Sequence, residues 1–299
     1  MVKGLISKIQ HYSTKDGPGI RTTVFMMGCN LRCLWCANPE NLEHKKQVFY
    51  FKERCMHCGL CVKYANHQSI TFDKVGCRIN RYLCDNLMDM ADVCPYDAYE
   101  LVGKEYEVDE LVQLLLRDKE YYEASQGGVT FSGGEAALQS EFLIEVCKKL
   151  KEHHVHVCLD TAGHIPTTKL LELVEYVDMV LYDIKAMDEQ MHLKCTGVSN
   201  SLIKQNFERL SHIPMIVRMV IVPGYNDDID DVKARLDWIS KQANILQVDV
   251  LKYHIFGVGK YDKLQMEYPI KETIVCDDAY FETIKEYGVS KGLKMTIGG

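Results

Sequence analysis

A chain of 299 residues, 47% of them hydrophobic, can bury one large core, so a single α/β body with a small insert suits its length as well as two domains. Its formal charge of -7 leaves no clustered Lys/Arg footprint for nucleic acid or an anionic membrane, and no apolar run approaches the roughly 18–20 residues that cross a bilayer. The first residues carry no signal-peptide core, which points to a cytoplasmic protein; in that reducing compartment thirteen cysteines indicate metal or iron-sulfur ligation, not disulfides.

In chain order, the first predicted strand runs over 20–27, and Cys29, Cys33 and Cys36 follow at once. This triplet offers three thiolates and no near fourth. A cubane normally takes four cysteines, so either a distant ligand completes it or one iron stays open. A zinc site or a fully ligated iron-sulfur site is the alternative that the triplet alone leaves standing.

The stretch 51–102 then interrupts the pattern and carries cysteines of its own. Cys55, Cys58 and Cys61 open a bacterial ferredoxin run, and Cys94-Pro95 has the form in which such a run closes. Read as two copies, the runs have lost cysteine at Ala65, Leu87 and Met90 and kept it at Cys84. In two-cluster ferredoxins the fourth cysteine of each run ligates the other cluster, which leaves one complete set: Cys55, Cys58, Cys61 and Cys94. One auxiliary 4Fe-4S cluster is expected, with Cys84 a remnant and Cys77 a free thiol or an alternative ligand. A zinc ribbon competes, although a cysteine at every third residue suits a cubane better than the paired spacing of a ribbon.

From about residue 107 short β-branched runs alternate with amphipathic segments, the mark of βα units and a parallel sheet. Further strands are predicted over 128–132, 155–160, 179–184, 215–222 and 246–253, each followed by a helix. Six units predict an α/β fold: a partial (β/α)6 TIM-like barrel formed by 1–50 and 103–299, with 51–102 as a ferredoxin-like iron-sulfur insert. Functional groups of such barrels gather at the C-terminal strand ends. Those ends here read Ser132-Gly133-Gly134-Glu135, Asp160-Thr161, Asp183-Ile184-Lys185, Arg218 and Tyr253-His254. Two carboxylates converging with a lysine need a cation or a proton; otherwise Asp160 caps a turn and Asp183 pairs with Lys185.

The triplet, with Asp16-Gly17-Pro18-Gly19-Ile20-Arg21 before it and Asn38-Pro39-Glu40 after it, resembles the glycyl radical enzyme activating enzymes of the radical S-adenosylmethionine (SAM) superfamily. Nearly the whole chain shares the resemblance, with Ala136 where the family usually has proline. It implies that Cys29, Cys33 and Cys36 hold a 4Fe-4S cluster whose open iron is chelated by SAM. Reductive cleavage then gives a 5'-deoxyadenosyl radical that takes hydrogen from a glycine Cα of a partner enzyme. Gly133, Gly134 and Glu135 would meet the methionine amino group. Lys185, Arg218 and His254 would hold carboxylate and ribose, and Trp35 would pack on adenine. A monovalent cation, sodium or potassium, would sit among Asp160, Thr161, Asp183 and the Leu181 carbonyl, and Asp16 would meet the glycine-bearing peptide. A flavodoxin or ferredoxin reductant is implied, and the insert favours a dehydratase, decarboxylase or lyase partner, of which a dehydratase, such as 4-hydroxyproline or glycerol dehydratase, is the one chosen. The rival readings are a radical SAM enzyme acting on a small molecule and a non-enzymatic iron-sulfur electron carrier.

Overall fold

The computed structural model describes residues 2–73, 76–271 and 276–298. The chain opens on an antiparallel pair, β1 (Lys3–Ser13) and β2 (Arg21–Met26). An excursion follows with β3 (Gln47–Tyr50), β4 (Ile70–Phe72), β5 (Cys77–Ile79) and β6 (Tyr99–Val102), in which β3 pairs with β6 and β4 with β5. β7 (Lys104–Glu107) returns to the free side of β1. Then β8 (Gly128–Gly133), β9 (His156–Thr161), β10 (Met179–Asp183), β11 (Met215–Ile221), β12 (Ile245–Lys252) and β13 (Met295–Ile297) add one beside the next, all parallel, starting against β2.

The resulting nine-stranded sheet has the order β13-β12-β11-β10-β9-β8-β2-β1-β7. Its ends do not pair with each other, so this is an open, mostly parallel α/β sheet consistent with a partial barrel. Strand β8 is buried almost throughout, as expected of a parallel strand covered on both faces. The helix Ser140–Glu152 buries Phe142, Leu143, Val146 and Leu150, and Ile229–Ile239 buries Val232, Leu236 and Ile239. Each such side chain contributes about 1.5–3 kcal/mol. The Asp228 carboxylate caps the second of these helices, accepting from the Asp230 and Asp231 N–H groups.

All six expected strands are present, with ends shifted by a residue or two. Three further strands of this sheet, β1, β7 and β13, were not expected. Strand β1 mixes polar and apolar residues on both faces, and β7 and β13 are only four and three residues long, so none of them shows a clear period. The first predicted unit also lacks its own helix, because the cysteine loop and the excursion follow β2 directly. The excursion has an apolar cluster of its own around Val48, Tyr50, Ile70, Met90 and Tyr99. No helix among the described residues is long and apolar enough to cross a membrane.

Candidate active site

The segment after β2 folds back on itself. Gly28 takes a φ of +101°, favourable only for glycine, and its N–H donates to the Asn41 carbonyl at 2.9 Å. The Arg32 and Leu34 N–H groups donate to the Thr196 and Cys195 carbonyls, stapling the loop to the helix Glu189–Thr196. Lys260 Nζ donates to Asn38 Oδ1 at 2.7 Å and pairs with Glu40 at 2.6 Å. Asn38-Pro39-Glu40 is thereby the anchor of the cysteine loop, a role that sequence spacing did not disclose.

Held this way, Cys29, Cys33 and Cys36 line one cavity of about 230 Å³ at the C-terminal strand ends. Burial pushes the Cys29 and Cys36 thiols up to about 12 and raises Cys33 as well. Such thiols ionise only beside a strong positive charge, which a metal centre supplies. Among the described residues no group of three or more His, Cys, Asp or Glu side chains is placed to grip one metal ion.

The same cavity is lined by Gly133, Gly134 and Glu135. A Cβ on Gly134 would lie 2.2 Å from the Gly28 carbonyl oxygen and 2.9 Å from that of Asn41, so only glycine permits the close approach of this turn to the cysteine loop. The Glu135 carboxylate faces inward, accepting from the Thr161 hydroxyl at 2.6 Å and the Ala162 N–H at 2.9 Å. Burial pushes it up to about 7 despite these bonds.

Asp160, Asp183, Lys185 and Arg218 complete the wall. Arg218 reaches Asp160 at 2.6 Å, Asp183 at 3.5 Å and Asp16 at 3.9 Å, while Lys185 pairs with Asp183 at 3.1 Å. Ser132, named in the sequence only as part of its strand end, donates to the second Asp160 oxygen at 2.6 Å. Burial raises Asp160, and the Arg218 charge offsets part of that; for Asp183 the two cations outweigh burial and hold it below the ordinary range. Burial opposes the charged forms of Lys185 and Arg218, but their acidic neighbours outweigh it and hold both high. The 3.5 Å approach of Arg218 Nε to Asp183 is an ion pair without hydrogen-bond geometry, so this buried N–H remains available to an incoming anion.

The structure places the other expected residues as follows. Thr161, Trp35 and His254 line the cavity. Trp35 is nearly buried and packs with Cys195, Val222 and Ile270, whereas the exposed His254 stacks on Phe256 at 4.3 Å. Leu181 is buried on β10 in register with Asp160. Asp16 meets the site only through Arg218, and its carboxylate accepts from the Ser13 and Thr23 hydroxyls. In the excursion, Cys55, Cys58, Cys61 and Cys94 line one small hollow with Phe72, Tyr96 and Tyr99. Cys77 is buried, 3.2 Å from the Tyr99 hydroxyl, and Cys84 is buried near Asn86.

A model of the Radical SAM superfamily matches residues 23–236. The chain belongs to the radical SAM superfamily. It is 37% identical to the trans-4-hydroxy-L-proline dehydratase activating enzyme of Clostridioides difficile, over 99% of each chain. It is also 37% identical to the 4-hydroxyphenylacetate decarboxylase activating enzyme of Clostridium scatologenes, over 89% of this chain and 88% of the relative. Within the radical SAM superfamily it therefore sits among the glycyl radical enzyme activating enzymes. A radical SAM methyltransferase from Sphaerobacter thermophilus shares the fold at 12% identity, with a TM-score of 0.52 over 98% of this chain and 76% of that one. The 4Fe-4S cluster and SAM that the family implies fit the residues present: three thiols on one wall, a turn stripped of side chains opposite, and a free cationic donor between.

Proposed function

We propose that this radical SAM chain activates a glycyl radical dehydratase, with trans-4-hydroxy-L-proline dehydratase or glycerol dehydratase as the partner. The reading rests on one observation: the thiol triplet, the Gly133-Gly134-Glu135 turn and the Lys185/Arg218 pair share a single cavity. When bound, the cluster and SAM supply the 5'-deoxyadenosyl radical that removes hydrogen from the partner's glycine Cα. Cys29, Cys33 and Cys36 hold the cluster. The Gly133-Gly134 backbone and Glu135 face the methionine ammonium, Arg218 and Lys185 its carboxylate, and Trp35 and His254 the nucleoside. Asp16 meets the glycine-bearing peptide.

Asp160, Thr161, Asp183 and the Leu181 carbonyl are hard oxygen donors suited to sodium or potassium. A cation there requires Arg218 to leave Asp160, which the arrival of a carboxylate at the guanidinium favours. The stretch 51–102 is read as a ferredoxin-like domain inserted in the body 1–50 and 103–299, with one auxiliary 4Fe-4S cluster on Cys55, Cys58, Cys61 and Cys94. The hollow that these four line supports this set. A flavodoxin or ferredoxin in the cytoplasm would supply the electron.

The test is anaerobic incubation of the reconstituted, reduced protein with SAM, alone and with trans-4-hydroxy-L-proline dehydratase. Formation of 5'-deoxyadenosine, with a glycyl radical signal only when the dehydratase is present, is expected. Spectra unchanged by SAM and no 5'-deoxyadenosine would end this reading.

A further inference from the structure

The connection between β1 and β2 contains Asp16 and ends at Arg21, a fully buried cationic side chain that the cofactor cavity does not use. Its partners are a hydroxyl, backbone carbonyls and the His156 ring, whose Nδ1 lies 3.4 Å from one terminal nitrogen, instead of a carboxylate. Arg21 Nε donates to Thr130 Oγ1 at 2.6 Å, and the Thr130 hydroxyl in turn donates to the Asp16 carbonyl at 2.6 Å. One terminal nitrogen donates to the Pro18 carbonyl at 3.1 Å, and the other to the Val129 carbonyl at 2.6 Å and the His156 carbonyl at 3.3 Å. One guanidinium thus joins the connection to β8 and β9 at once. Burying a charge against neutral partners is costly and needs a compensating gain.

That gain is visible in the connection. Gly17 and Gly19 have φ of +116° and +69°, and a Cβ on Gly19 would meet the Gly127 nitrogen and Ser125 carbonyl oxygen at 2.5 Å, so the segment is folded tightly against its neighbours. Its product is a fixed Asp16, whose carboxylate accepts from Ser13 and Thr23 and lies 3.9 Å from Arg218. We infer that Arg21 is a positioning residue for the protein substrate: through Thr130 and the Pro18 carbonyl it pins the 14–20 connection so that Asp16 is presented to the glycine-bearing peptide. SAM binding does not depend on this pin. The inference rests on the proposed activating function, since it takes Asp16 as the peptide contact.

Lysine at position 21 keeps the charge but, as one compact ammonium, cannot span the separated acceptors on Pro18, Val129, Thr130 and His156 that the planar guanidinium bridges. In the reconstituted protein, Arg21→Lys and, separately, Thr130→Val should raise amide hydrogen exchange across 14–20 at least about tenfold, the scale of one lost charge-assisted hydrogen bond. SAM affinity and partner-free 5'-deoxyadenosine formation should stay within about twofold of wild type, while glycyl radical formation on trans-4-hydroxy-L-proline dehydratase falls about tenfold or more, mainly through the KM for the dehydratase. Thr130→Ser, which restores the hydroxyl, should recover both exchange protection and radical formation. Unchanged exchange over 14–20 would overturn the pin. So would a parallel loss of SAM binding and radical formation in proportion to folded protein, which is what a purely structural residue gives. If wild type itself leaves the dehydratase without a radical, the partner assignment fails, and the exchange measurement still decides the pin.

Discussion

Replacing Arg218 with methionine removes the one side chain that reaches Asp16, Asp160 and Asp183 together. Asp183 keeps Lys185 at 3.1 Å, so the loss falls on Asp160, whose remaining partner is the Ser132 hydroxyl. Asp160 and Arg218 side chains are only 11% and 15% exposed, so water screens the orphaned carboxylate poorly. Breaking a buried pair from one side costs about 3–5 kcal/mol, and the lower end applies because Ser132 remains. The pH dependence has a definite sign. Asp160 is already held above the ordinary carboxylate range, and without the guanidinium it rises further. A raised acid favours the native state at low pH and loses that contribution as pH climbs through its folded value. The Arg218→Met deficit should therefore be about 3 kcal/mol in urea denaturation near pH 8 and shrink markedly near pH 5. Asp160→Asn in the same background should restore about 2 kcal/mol at the higher pH, because the uncompensated charge is gone. A deficit equal at both pH values, or one untouched by Asp160→Asn, would refute the account of Arg218 as counter-ion to Asp160.

Cys33→Ala should abolish SAM cleavage, whereas Cys94→Ala should spare part of it while reducing iron content. Wild type should hold about eight iron atoms; about twelve would mean that the excursion binds two clusters. Gly134→Ala places a methyl against two carbonyl oxygens, so a loss of about 1–3 kcal/mol in stability and a sharp drop in SAM affinity by equilibrium binding are expected. Glu135 is pushed up from 4.5 to about 7 by burial, so wild-type stability should fall as pH rises through that window, by up to about 3 kcal/mol. Glu135→Gln cannot titrate, and a slope of urea midpoint against pH identical to wild type would show that Glu135 is not the group responsible.

The sequence by itself determined the parallel strands, through runs of β-branched residues whose period survives in isolation, and it located the chemistry through cysteine spacing and strand-end motifs. These signals are local, because each strand carries its functional residue at its own end. Partnerships were decided only by the tertiary structure. Arg218 lies 58 residues from Asp160 by numbering, 218 against 160, yet pairs with it because β9 and β11 flank β10. Lys260 anchors Asn38 and Glu40, and Arg21 reaches Thr130 and Asp16, across separations that no periodicity encodes. Strands β1, β7 and β13 stayed hidden for the same reason: the short edge strands β7 and β13, and β1 with its mixed faces between β2 and β7, draw their stability from a neighbour's hydrogen bonds rather than from a pattern of their own.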